Sequence, residues 1–120
     1  MNVCINCWKI EKVCKCAIKN FVEIDDDIVD IITSLNKKGY ATEFCCSGHA
    51  KNELIHIYIS FSGETEFKKP PIGFKISHRN GRVIIEYTNR KPQLRIESKQ
   101  LLINQKINNL KAWTKNLESR

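Results

Sequence analysis

The chain has 120 residues, of which 42% are hydrophobic and 28% charged, with a formal net charge of +7. These proportions describe one globular domain and exclude a disordered segment. No apolar run approaches the roughly 18 residues of a membrane span. The opening Met1-Asn2-Val3-Cys4 lacks the charged and apolar blocks of a signal peptide, so a cytoplasmic protein with no membrane partner is expected.

Charge is unevenly spread. Residues 1–60 hold seven lysines against eight acids, a net of −1, whereas residues 61–120 hold eight lysines and five arginines against five acids, a net of +8. Such a balance favours an anionic partner, although a solvated basic surface has the same composition.

Residues 1–20 are expected to be a zinc-binding module with little periodicity, packed as one unit with an α+β domain over residues 21–120. Six cysteines in a reducing compartment point to metal or to reactivity rather than to disulfides. Cys4 and Cys7 form a CxxC pair, and Cys14 and Cys16 a CxC pair. Zinc takes four soft ligands in a tetrahedron, and a CxxC turn brings two thiolates to one ion. Cys4, Cys7, Cys14 and Cys16 are therefore the expected ligands of a structural zinc. Cys45, Cys46 and His49 are alternative ligands, which would clip the module onto the domain. Their other readings are small buried thiols and a surface imidazole. A redox CxxC normally opens a helix behind a strand, and no strand is expected before this one. Trp8, inside the turn, either packs the module onto the domain or anchors a partner.

Ile24, Ile28, Ile31, Ile32 and Leu35 mark one face of a helix. Asp25, Asp26 and Asp27 suit its positive end, and Lys37, Lys38 and Gly39 its last turn and stop. A strand over about 40–44 leads into the loop Cys45-Cys46-Ser47-Gly48-His49. A second strand spans 54–61, with Ile55, Ile57, Ile59 and Phe61 on one face and His56, Tyr58 and Ser60 on the other. A polar connection follows, from Ser62 to Pro71. Asn80-Gly81 signals a type I′ hairpin between strands near 73–79 and 82–88. After a break containing Pro92, Ile103, Ile107, Leu110, Trp113 or Thr114, and Leu117 form the stripe of a helix over 97–118, which packs inward or pairs with a second copy. The expected fold is α+β: the zinc turn, a helix, about four mostly antiparallel strands, and a C-terminal helix.

The order helix, Leu35-Asn36-Lys37-Lys38-Gly39-Tyr40, strand, Cys45-Cys46-Ser47-Gly48-His49, strand resembles small proteins of Firmicutes and their phages that carry the same CCSGH loop. Residues 28–61 are also similar to the core of the tRNA wybutosine-synthesis methyltransferases, with Cys46-Ser47-Gly48 the most specific part. That resemblance implies S-adenosylmethionine and a modified guanosine of tRNA. The family carries an arginine where this chain has His49, and its members are longer, which leaves no length for a separate cofactor-binding half.

Read by its residues, the loop suits an anion. Gly48 permits positive φ, Ser47 and nearby backbone N–H groups can cradle a phosphate, and His49 adds a donor. A thiol of Cys45 or Cys46 beside His49 would also suit a nucleophile and base, with no third orienting residue identifiable. A plain structural turn is the remaining reading. Lys75, His78, Arg79, Arg82, Arg90, Lys91 and Arg95, with Lys68 and Lys69, are expected to form a basic surface for phosphates. Tyr58, Phe74 and Tyr87 offer stacking faces or, for the last two, core packing. The leading expectation is a zinc-stabilised binding protein for RNA or DNA. The alternatives are a nucleotide-modifying enzyme of the methyltransferase type, and a phage-encoded inhibitor or adaptor that targets a nucleic-acid-handling protein.

Overall fold

The computed structural model describes residues 1–52, 54–62, 65–90 and 94–120. Lys91 and Pro92 lie outside them. The chain is α+β, with two antiparallel sheets. In order it forms β1 (Asn2–Cys4), β2 (Phe21–Glu23), a 3-10 turn (Asp26–Ile28), α1 (Val29–Lys37), β3 (Thr42–Cys46), β4 (Ile55–Phe61), β5 (Lys75–Arg79), β6 (Arg82–Asn89) and α2 (Ile96–Asn116). No helix among the described residues is long and apolar enough to cross a membrane.

The larger sheet has the order β3-β4-β6-β5, antiparallel throughout. Alternation on β4 and β6 sends Ile55, Ile57, Ile59, Phe61, Val83 and Ile85 to one buried face. The core forms there, where Ile28, Ile32 and Leu35 of the first helical segment meet Ile103, Ile107 and Leu110 of α2. Thr114, rather than Trp113, is the buried member of the α2 stripe. Trp113 lies half-buried, donating its indole N–H to Lys69 O at 2.9 Å.

Local chemistry explains the ends. At the end of α1 the Tyr40 N–H reaches Leu35 O at 2.9 Å and the Gly39 N–H reaches Asn36 O at 3.1 Å, the paired bonds of a Schellman stop. Asn80 and Gly81 have φ of 51° and 74°, the two positive values that a type I′ turn needs. The start of α1 differs from expectation. The three aspartates precede the α-helix proper, Ile24 lies outside it, and no side chain caps it. Asp25 is drawn instead to the loop after β3. The connection after β4 is not merely polar: Phe67 packs its ring 5.4 Å from Tyr40, 4.9 Å from Phe61 and 5.0 Å from Trp113.

Residues 1–20 carry more regular structure than expected. β1 pairs with β2 from Asn2↔Glu23 to Cys4↔Phe21, and Val3 also bridges Ile10. The boundary drawn after residue 20 therefore falls between two paired strands. Val3 is fully buried and joins the core beside Ile24.

Candidate metal centre and open sheet face

The four N-terminal cysteines converge because the chain doubles back twice. The Trp8 N–H donates to Cys4 O at 2.8 Å, and Trp8 itself takes φ of 59°, so the chain turns sharply after Cys7. It returns through Ile10 beside β1, and the Cys14 N–H closes a second turn onto Ile10 O at 3.0 Å. The four Sγ atoms lie within 4.8 Å of one another, and Cys4 Sγ stands 4.0 Å from Cys16 Sγ. Four thiolates about 2.3 Å from one ion in a tetrahedron would be about 3.8 Å apart. The group can hold a metal ion.

Its electrostatics point the same way. Backbone N–H groups, first that of Cys7 and then that of Asn6, lower the Cys4 thiol to about 6 against the opposing effect of burial. The Cys16 N–H favours the Cys14 thiolate, but burial and the Cys4 and Cys7 thiols outweigh it and raise Cys14. The Cys7 and Cys14 thiols, followed by burial, push Cys16 up to about 12. One thiolate is thus stabilised by amides while further charges resist one another, and a bound cation removes that resistance. Trp8 packs against the core, beside a groove where Ile5 of the module and Val22 of β2 face Phe44 and Cys45 of β3.

Among the described residues, the loop after β3 does not contribute to this centre. Instead Asp25, Cys46 and His49 form a separate group whose ligand atoms also lie within 4.8 Å. Ser47 is 2% exposed, and both its backbone N–H and its hydroxyl donate to Asp25 Oδ2, at 3.0 and 3.1 Å. Of the loop donors offered to an anion or to a plain turn, those of Ser47 meet the chain's own carboxylate. Cys45 packs against the core rather than joining either group, its thiol pushed up to about 11 by burial and then by the charges of Asp25 and Cys46. Asp25 was read only as a helix-start residue; nothing local in the sequence links it to a loop twenty residues away.

The expected basic surface is divided. His78, Arg79 and Arg82 flank the β5–β6 turn, whereas Arg90 follows the far end of β6, roughly 26 Å along the strand from Arg82, and Arg95 immediately precedes α2. Lys75 is exposed at the start of β5. Arg79 Nη2 pairs with Glu86 at 2.6 Å, and Arg82 Nε with Glu43 at 2.7 Å.

The sheet face away from the helices gathers aromatic rings beside these arginines. Cys46 aligns with Tyr58, and Tyr58 with Glu86. The rings of His56 and Tyr58 are 4.7 Å apart, and the Arg82 guanidinium stands 5.6 Å from the centre of Phe44, which is 55% exposed. Phe44, His56, Tyr58, Ser60, Arg79 and Arg82 line a shallow pocket of about 370 Å³ there. Phe74 and Tyr87 are on the opposite side, their rings 6.0 Å apart, with Lys106 Nζ of α2 4.9 Å from the Tyr87 ring. Phe44 was read only as the end of a strand; the register shift between Thr42 and Phe44, which helps to set its face, has no local signal.

Comparison with protein-family models, with curated proteins and with solved structures finds no match to this chain.

Proposed function

We propose that this is a zinc-stabilised protein that binds single-stranded RNA or DNA on the open face of its four-stranded sheet. The observation that carries the reading is the grouping of Phe44, His56 and Tyr58 with Arg79 and Arg82 on that face. Bases of any sequence stack on aromatic side chains, and guanidinium groups meet the phosphates between them. The ion pairs to Glu43 and Glu86 hold the arginines in place, and five N–H donors on each guanidinium leave several for a phosphate. The net charge of +7 favours the encounter. Zinc is an ion that four tetrahedral thiolates suit, and with no open position it would serve the fold rather than a reaction.

Fluorescence anisotropy with a labelled single-stranded oligonucleotide tests this. Affinity should fall steeply with added salt. Tyr58→Ala and Phe44→Ala should each cost about 1–3 kcal/mol of binding, the usual worth of one stacked base. Arg82→Ala should lower the slope of log affinity against log salt by about one. Binding that ignores both salt and these substitutions would exclude the reading.

A further inference from the structure

Cys46 ends β3, and three residues later His49 turns back so that its Nε2 stands 3.8 Å from Cys46 Sγ. Gly48 makes that return possible. It has φ of 81°, and a Cβ there would approach Ile57 Cγ1 to 3.0 Å, so a side chain would meet both strain and a wall. Asp25 enters from the segment before α1, and its Oδ2 is fixed by the two Ser47 donors. A carboxylate held through one oxygen keeps the other to ligate. Asp25, Cys46 and His49 each offer one ligand atom, and the three atoms lie within 4.8 Å of one another. A catalytic relay would instead use the two imidazole nitrogens in opposite directions, towards thiol and carboxylate separately.

We propose that Asp25, Cys46 and His49 form a second metal site, independent of the four-cysteine centre, that takes a divalent transition ion such as zinc or cobalt and keeps its fourth position open. A thiolate and a carboxylate neutralise the ion, and a neutral imidazole completes a mixed set suited to borderline metals. Three protein ligands with one exchangeable position distinguish this site from the closed four-thiolate one. Asp25 and His49 also help to line a cleft of about 810 Å³, which gives the site access to solvent. Glu23, Asp26 and Asp27 line it as well, opposed by Lys51 and by the Met1 ammonium, which stands 3.2 Å from Asp26. The cleft is therefore an acidic entry path for a cation. Water, or one oxygen of a ligand in the cleft, fills the fourth position. Ser47 is a positioning residue, acting on the metal only through Asp25.

The test is cobalt binding by the full chain, read by metal analysis and visible absorption. The wild type should bind two equivalents. Asp25→Asn and His49→Ala should bind one, while keeping the intense bands of a four-thiolate cobalt centre, which also reports that they are folded. Cys46→Ser should lose one thiolate-to-cobalt band with the second equivalent. Ser47→Ala should weaken that equivalent about tenfold and leave the first unchanged. A single equivalent in the wild type, or two in both Asp25→Asn and His49→Ala, overturns the proposal.

Discussion

Glu86 lies on the open sheet face yet is only 3% exposed. It accepts from Arg79 at 2.6 Å and faces His56 Nε2 at 3.2 Å. Burial alone would raise its pKa, but hydrogen bonds from Ser77, Arg79 and His56 outweigh burial and lower it from the ordinary 4.5. A carboxylate depressed in the folded state contributes stability that is present above its unfolded pKa and lost as pH falls through the folded one. Denaturant melts of the wild type should therefore lose stability as pH drops below about 4.5, where Glu86 begins to protonate in the unfolded chain. In Glu86→Gln that part of the acid sensitivity should be missing, at the cost of lower stability at neutral pH. An unchanged acid limb would mean that the buried cluster contributes nothing to it. The alternation of β4 placed His56 on the polar phase correctly, but its partner comes from another strand and could not be read locally. Asp25 is the same case: its type and position suit a helix start, and only the fold brings Ser47 to it.

At the scale of elements, those with strong local signals were legible. The spacing of Ile28, Ile32 and Leu35 announced the first helical segment, Asn80-Gly81 announced the hairpin, and the α2 stripe placed that helix to within two residues of 97–118. β1 and β2 were not legible, because three residues carry no period and their pairing spans the whole cysteine loop. The C-terminus of α2 is also decided at a distance. Lys38, at the end of α1, sends its ammonium to the carbonyls of Thr114, Lys115 and Leu117 at 2.8, 3.1 and 2.7 Å. It satisfies acceptors that the helix leaves open and sits at the negative end of the dipole. Lys38→Met should cost about 1.5–3 kcal/mol, the range for hydrogen bonds to a charged group. Amide exchange should quicken in the last turn of α2 before the β4–β6 ladder is affected. Equal loss of protection in both would mean that the contact supports the fold globally rather than that helix end.

For the whole molecule, the four-cysteine centre ties residues 1–20 to the sheet through β1, β2 and Val3. On the proposed zinc-stabilised reading, a strong chelator should therefore melt the module and the β1–β2 pair first, lowering the thermal midpoint while β4 and β6 keep their protection. Exchange mapped by mass spectrometry checks the order; uniform unfolding would show that the domain has no stability apart from the metal.

The sequence by itself determined the α+β class, the two helices, the hairpin and the four cysteines that gather, because periodicity, turn chemistry and close spacing act over a few residues. Tertiary structure alone decided that Cys46 and His49 stand with Asp25 rather than with those cysteines. It also decided that the basic residues divide between the two ends of β6, and that Phe44 shares a face with Tyr58. These are matters of which strand lies beside which, set by burial of one common core, and no stretch of a few residues carries that information.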